Sequence, residues 1–120
     1  MVNVLPSTDA TTGLLSAERL AQFAPGSIFV NIGRGTVLGD EADLIAALES
    51  GPPKAAVLDV TDPEPPAEGS PLYTHPQVTL TPHISGMTQV RSAARLIAAN
   101  VARLRAGQEP FPLLDRTRGY

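Results

Sequence analysis

The 120-residue sequence has no cysteine and no tryptophan, and aromatic residues make up only 4% of it. The first absence excludes disulfides and thiolate metal sites. The scarcity of aromatics leaves a core of aliphatic side chains and alanine, as in layered α/β proteins. Histidine is scarce too: His75 and His83 are the only two, and neither sits in an H-E-x-x-H pattern or a carboxylate cluster, so no metal site is expected. A net charge of -3 lacks the clustered positive potential of a nucleic-acid surface. No apolar run approaches the ~18 residues of a membrane span, and no signal-peptide pattern opens the chain. A soluble, cytoplasmic protein with neither nucleic-acid nor membrane partners is expected.

What is present reads as alternating strands and helices. Val2–Leu5 is a short apolar strand closed by Pro6, and a domain that opens on a buried strand leads us to expect a preceding segment. Ser16 is placed to cap a helix through "AERLAQF", which Pro25-Gly26 would end. "SIFVNI" (27–32) is nearly continuously apolar, the pattern of a strand covered on both faces. Asp40 is a candidate N-cap for a helix with Leu44, Ile45 and Leu48 inward and Gly51 at its end. "AAVLDV" (55–60) and "VTLTP" (78–82) are two more strands, separated by a long proline-rich loop. A last helix is expected from a Thr88 cap to Gly107, with Val90, Ala94, Ile97, Val101 and Leu104 on one face. This order predicts a single α/β domain, or part of one, with a parallel sheet.

Ligands of open parallel sheets bind beyond the carboxyl ends of the strands. Here those ends read "LPST", "NIGRGT", "DVTDPEP" and "LTPHISG", and three of the four carry an ionisable residue. Arg34, between two glycines, is either a solvated turn residue or a planar guanidinium held near backbone for bidentate capture of a carboxylate. "GRG" lacks the third glycine and following helix of a dinucleotide fingerprint. Glu64, between Pro63 and Pro65, is either surface decoration or a carboxylate aimed by its stiff neighbours. His83 is either structural or a general acid, and a nearby carboxylate would orient the imidazole and stabilise its protonated form. His75 reads as an exposed loop residue. Ser85 has no nucleophile-elbow context, which argues against a hydrolase. An anion clamp beside a His-carboxylate pair fits proton transfer to a keto acid, with a hydride donor to complete the reaction.

The blocks "NIGRGTVLGDEADLIAALESG", "AAVLDVTDPEPP" and "VTLTPHISG" together resemble the D-isomer-specific 2-hydroxyacid dehydrogenases. "SPLYTHPQVTLTPHISGMT" and the tail "LLDRTRGY" are similar to the branch that reduces glyoxylate and hydroxypyruvate. The resemblance implies the C-terminal half of a Rossmann-like domain: residues 1–120 would be a partial NAD(P)-binding domain with a C-terminal helix at about 88–107. It implies Arg34 as the substrate-carboxylate ligand, His83 as acid/base and Glu64 as its partner. Leu5, Ile32, Gly33, Arg34, Asp59, His83, Ser85 and Gly86 would contact the cofactor, with Asp59 reaching the nicotinamide carboxamide. NADPH is implied over NADH, as is a homodimer for full-length members. The family's substrate domain and first βαβ unit, with its G-x-G-x-x-G loop, have no counterpart in this sequence, so the chain alone is expected to be inactive. The alternative is a non-catalytic remnant that serves as an oligomerising or partner-binding α/β module.

Overall fold

The computed structural model describes residues 1–119, which form two compact units, Met1–Ser85 and Gly86 onward. The first holds a four-stranded sheet, all parallel, in the order β1 (Val2–Asn3), β2 (Ile28–Asn31), β3 (Ala55–Leu58), β4 (Val78–Leu80). Helix α1 (Ala17–Leu20) lies between β1 and β2 in sequence, and α2 (Glu41–Ser50) between β2 and β3. Short 3-10 helices at Gly35–Val37 and Pro71–Tyr73 complete it.

Strands laid down in chain order with right-handed crossovers send every connection over the same face of a sheet. That face carries the core: Phe29 and Asn31 stand opposite Ala56 and Leu58 in register, and Leu20, Leu44, Leu48 and Leu72 close over them. Phe23 meets Phe29 edge-on, with ring centroids 6.0 Å apart. On the other face Ile28 is 49% exposed and Val2 59%, while Val30 and Val57 are half-buried. The expectation that this strand is covered on both faces is therefore not met within the first unit. The reason is topological: a 1-2-3-4 order supplies no crossover for the second face.

Helix α2 follows its sequence signals. The Asp40 carboxylate accepts from the Ala42 N–H at 2.8 Å, Glu41 and Asp43 lie in the first turn, and Gly51 ends it at φ 128°. Helix α1 is shorter than expected. Gln22 and Phe23 bond back three residues and close it as a tight turn. Ser16 makes no side-chain cap bond, and the Ala17 N–H is met instead by Asp43 from α2 at 3.1 Å.

The second unit is α3 (Val90–Arg105) and the segment after it. Its N-cap is Gln89, not Thr88, and no side chain caps it; Ala106 ends it, with Gly107 at φ 71°. None of its sixteen residues is buried. Phe111 N–H donates to Asn100 and Arg103 Nε to the Glu109 carbonyl, which folds the following segment back along the helix. No helix among the described residues is long and apolar enough to cross a membrane.

Candidate active site

Parallel pairing opens all four strand ends on one edge, and the ladder continues past the strands to level the loops. Ile32 N–H donates to Asn3 O, Asp59 N–H to Asn31 O and Thr81 N–H to Leu58 O, at 2.9 to 3.1 Å. Arg34, Asp59, Glu64 and His83 all belong to the loops on this edge.

The turn after β2 is set by crowding. A Cβ on Gly33 would lie 2.6 Å from the Leu5 carbonyl oxygen, and one on Gly35 would lie 2.0 Å from the Thr61 carbonyl. Both positions exclude any side chain, so the turn is wedged between the loops after β1 and β3. Between them Arg34 is extended and exposed, with Nη1 donating to the Gly33 carbonyl at 2.7 Å.

The turn after β4 is set by one carboxylate. Asp59 is 3% exposed, and its two oxygens accept four hydrogen bonds. Oδ1 takes the Thr81 hydroxyl and the Ile84 N–H, and Oδ2 takes the Ser85 N–H and hydroxyl. Burial pushes this carboxyl up, but the hydroxyls of Ser85 and Thr81 and the N–H groups of Ile84 and Ser85 outweigh it. The net effect holds it well below the usual carboxylate range. A carboxylate has about four lone-pair directions, so the expected reach of Asp59 to a nicotinamide carboxamide requires one of these donors to yield its place.

The same turn holds His83 at φ 51°, a left-handed conformation, with its N–H on the Asp59 carbonyl at 2.9 Å. Its Nδ1 lies 2.6 Å from Glu64 Oε1. A carboxylate only accepts, so Nδ1 carries the proton in this contact and Nε2 is left without a partner from Glu64. Both side chains are nearly half exposed, 46% for His83 and 40% for Glu64. They border a cavity of about 520 Å³ walled by Pro65, Pro66, Tyr73 and Leu80. Arg34 is not among its walls.

His75 differs from its expectation. It is half-buried, and its Nδ1 accepts from the Gln77 N–H at 3.3 Å, bracing the turn into β4. Gly86 follows Ser85 as the first residue of the second unit. No group of three or more metal-ligating side chains occurs among the described residues.

Two residues escaped the sequence reading. Asn3 and Asn31 are 5% and 1% exposed, side by side in register, with Asn3 Nδ2 donating to Asn31 Oδ1 at 2.8 Å. A signal existed: "VNV" and "VNI" place an asparagine inside each of two β-branched runs. A buried polar side chain there needs a partner of its own kind.

For a nicotinamide cofactor the residues fit at one end. The Leu5 and Gly33 backbones are packed together at the strand ends, where Gly33 is buried while Leu5 and Ile32 are exposed. For the phosphate end, the sequence has no G-x-G-x-x-G loop.

Residues 1–85 match the model of the D-isomer specific 2-hydroxyacid dehydrogenase, NAD binding domain. Over all 120 residues the chain is 42% identical to glyoxylate/hydroxypyruvate reductase A of Serratia proteamaculans, and spans 38% of that protein's length. Its fold matches a D-isomer specific 2-hydroxyacid dehydrogenase from Xanthobacter autotrophicus, solved with NADPH and MES. There the TM-score is 0.91 and the identity 45%, over 99% of this chain and 49% of that one. An NADPH-dependent glyoxylate/hydroxypyruvate reductase from Sinorhizobium meliloti, solved with NADP and sulfate, gives a TM-score of 0.90 and 31% identity. That match covers 99% of this chain and 39% of that one. The chain thus belongs to the D-isomer-specific 2-hydroxyacid dehydrogenase family and carries the C-terminal part of its Rossmann-like NAD-binding fold.

Proposed function

We propose that this chain is the catalytic half of the NAD(P)-binding domain of a reductase that converts glyoxylate, hydroxypyruvate or a related 2-keto acid to the D-2-hydroxy acid. The observation that carries this reading is the His83 Nδ1–Glu64 contact of 2.6 Å at the ligand-binding edge of a parallel sheet. Glu64 fixes the ring and offsets the charge of the imidazolium. His83 then delivers a proton from Nε2 to the carbonyl oxygen as it is reduced. Arg34 pairs with the substrate carboxylate, and its guanidinium gives up the Gly33 carbonyl to do so.

The nicotinamide, when bound, supplies the hydride for C2 of the substrate. Leu5, Ile32, Gly33 and Arg34 would line it with backbone, and Asp59, His83, Ser85 and Gly86 would flank it. NADPH is favoured over NADH because relatives with this fold were solved with NADPH or NADP. Residues 1–120 are read as one partial domain, supported by the relatives that align over the whole chain.

A chimera tests the reading: the Serratia proteamaculans reductase with its matching segment replaced by this chain. We expect it to bind NADPH and reduce glyoxylate. His83→Gln in that background should lower kcat by at least ~10²-fold with NADPH binding nearly unchanged. Equal loss of both would remove the acid role from His83. A chimera that folds but does not bind NADPH would remove the domain reading.

A further inference from the structure

We infer that Asn3 and Asn31 form a directed hydrogen-bond relay that ties the loop after β1 to Arg34, which makes Asn31 a positioning residue for the substrate-binding arginine. The relay has four bonds. Leu5 N–H donates to Asn3 Oδ1 at 3.1 Å, and Asn3 Nδ2 donates to Asn31 Oδ1 at 2.8 Å. Gly33 N–H donates to the same Asn31 oxygen at 3.2 Å, and Asn31 Nδ2 donates to the Arg34 carbonyl at 3.2 Å.

The direction of this relay is fixed by its ends. A side-chain amide can be turned either way, and its orientation is settled by its partners. Here a backbone N–H at Leu5 and another at Gly33 demand oxygen, and a backbone carbonyl at Arg34 demands N–H. Only one orientation of both amides satisfies all three. Both side chains are almost fully buried, so each depends on these partners.

Asn31 therefore holds the Arg34 main chain from beneath while the two flanking glycines leave it no side-chain anchor. Asn3 passes the same constraint to Leu5, on the loop proposed to line the cofactor. The inference rests on the proposed role of Arg34 for its functional meaning, while its test reads the relay itself.

The substitution that isolates the relay is Asn31→Asp, which keeps the shape and removes the only donor. The ionised carboxylate accepts from Asn3 and Gly33 but faces the Arg34 carbonyl with an oxygen. A protonated carboxyl restores one donor and one acceptor, so the defect should be relieved by acid. The charged groups around this site are the Arg34 guanidinium, Asp59 on β3's continuation, and Asp40, Glu41 and Asp62, which share a cavity of about 290 Å³ with Asn31.

Amide hydrogen exchange on the 120-residue chain, read by NMR against wild type at each pH, is the test. At pH 7 we expect N31D to shift the Arg34 and Gly35 backbone resonances and to raise exchange by ~10-fold or more at Val37, whose N–H donates to the Arg34 carbonyl at 3.3 Å, with Leu5, Phe29 and Leu58 unchanged. Part of that difference should vanish as the introduced carboxyl protonates. Asn3→Ala should free Leu5 but leave the Arg34 backbone resonances close to wild type, whereas Asn31→Ala should shift both. Uniform acceleration across the sheet, or local acceleration with no acid relief, would reduce Asn31 to an ordinary buried polar residue and overturn the inference. If N31D does not fold, the contrast between Asn3→Ala and Asn31→Ala decides alone: identical patterns overturn it.

Discussion

The turns after β2 and β4 present the two groups proposed to meet the substrate, and they are built by opposite means. The Arg34 turn is held without charge, by the Asn31 amide and by exclusion: neighbouring backbones come so close that positions 33 and 35 admit only hydrogen. The His83 turn is held by attraction, with four donors gathered on the buried Asp59 carboxylate. Crowding is indifferent to pH and salt, whereas a carboxylate's hold depends on its charge. The arginine stands on the insensitive support. The histidine stands on the titratable one.

Adding volume to the first turn should break it most severely. Gly35→Ala places a methyl 2.0 Å from the Thr61 carbonyl, and the obstacle is backbone rather than a movable side chain. We expect a loss of about 3 kcal/mol or more, measured as a lower denaturation midpoint or as failure to accumulate folded chain.

The second turn should fail by degrees. Asp59→Asn keeps the shape but turns one acceptor into a donor facing other donors. We expect a loss of about 1 to 3 kcal/mol, with faster amide exchange at Ile84 and Ser85. The pH dependence separates the turns further. Because folding lowers the Asp59 pKa, its contribution is fully present above the unfolded value near ~4 and is lost as pH falls below it. Wild type should therefore lose more stability than Asp59→Asn on acidification through that range, as read from denaturation curves at a series of pH values. A parallel pair of curves would mean that Asp59 does not support the turn through its charge.

Glu64→Gln should have the smallest effect on stability, within about 0.5 kcal/mol, because the contact with His83 is nearly half exposed. Its effect on turnover in the chimera should be large by comparison, at least ~10-fold in kcat. Stability and activity would then separate within a single turn.

The order of strands and helices was legible because it rests on local signals: β-branched runs, Asp40 before α2, Gly51 after it. Glu64 and His83 were legible because their chemistry is named by residue type and by position at strand ends. What the sequence concealed depends on lateral contact. Nothing in "GRG" says that Thr61 lies against Gly35, and nothing in "LDV" says that the His83 turn comes back over Asp59. The resemblance implies that Asp59 reaches a nicotinamide carboxamide, and it gives no sign of the four internal donors that this carboxylate gathers. Helix α1 was overestimated because its apolar spacing was sound while its three-residue backbone bonds were invisible.

The left-handed backbone at His83 bears on how such a chain persists through generations. That conformation costs a residue with a Cβ about 1 kcal/mol or more, and glycine adopts it freely. Against that cost stands only the half-exposed contact with Glu64, so selection for folding alone gives this histidine little support. A lineage relieved of chemistry would drift toward glycine here. An imidazole held in that unfavoured geometry fits the proton transfer proposed for His83.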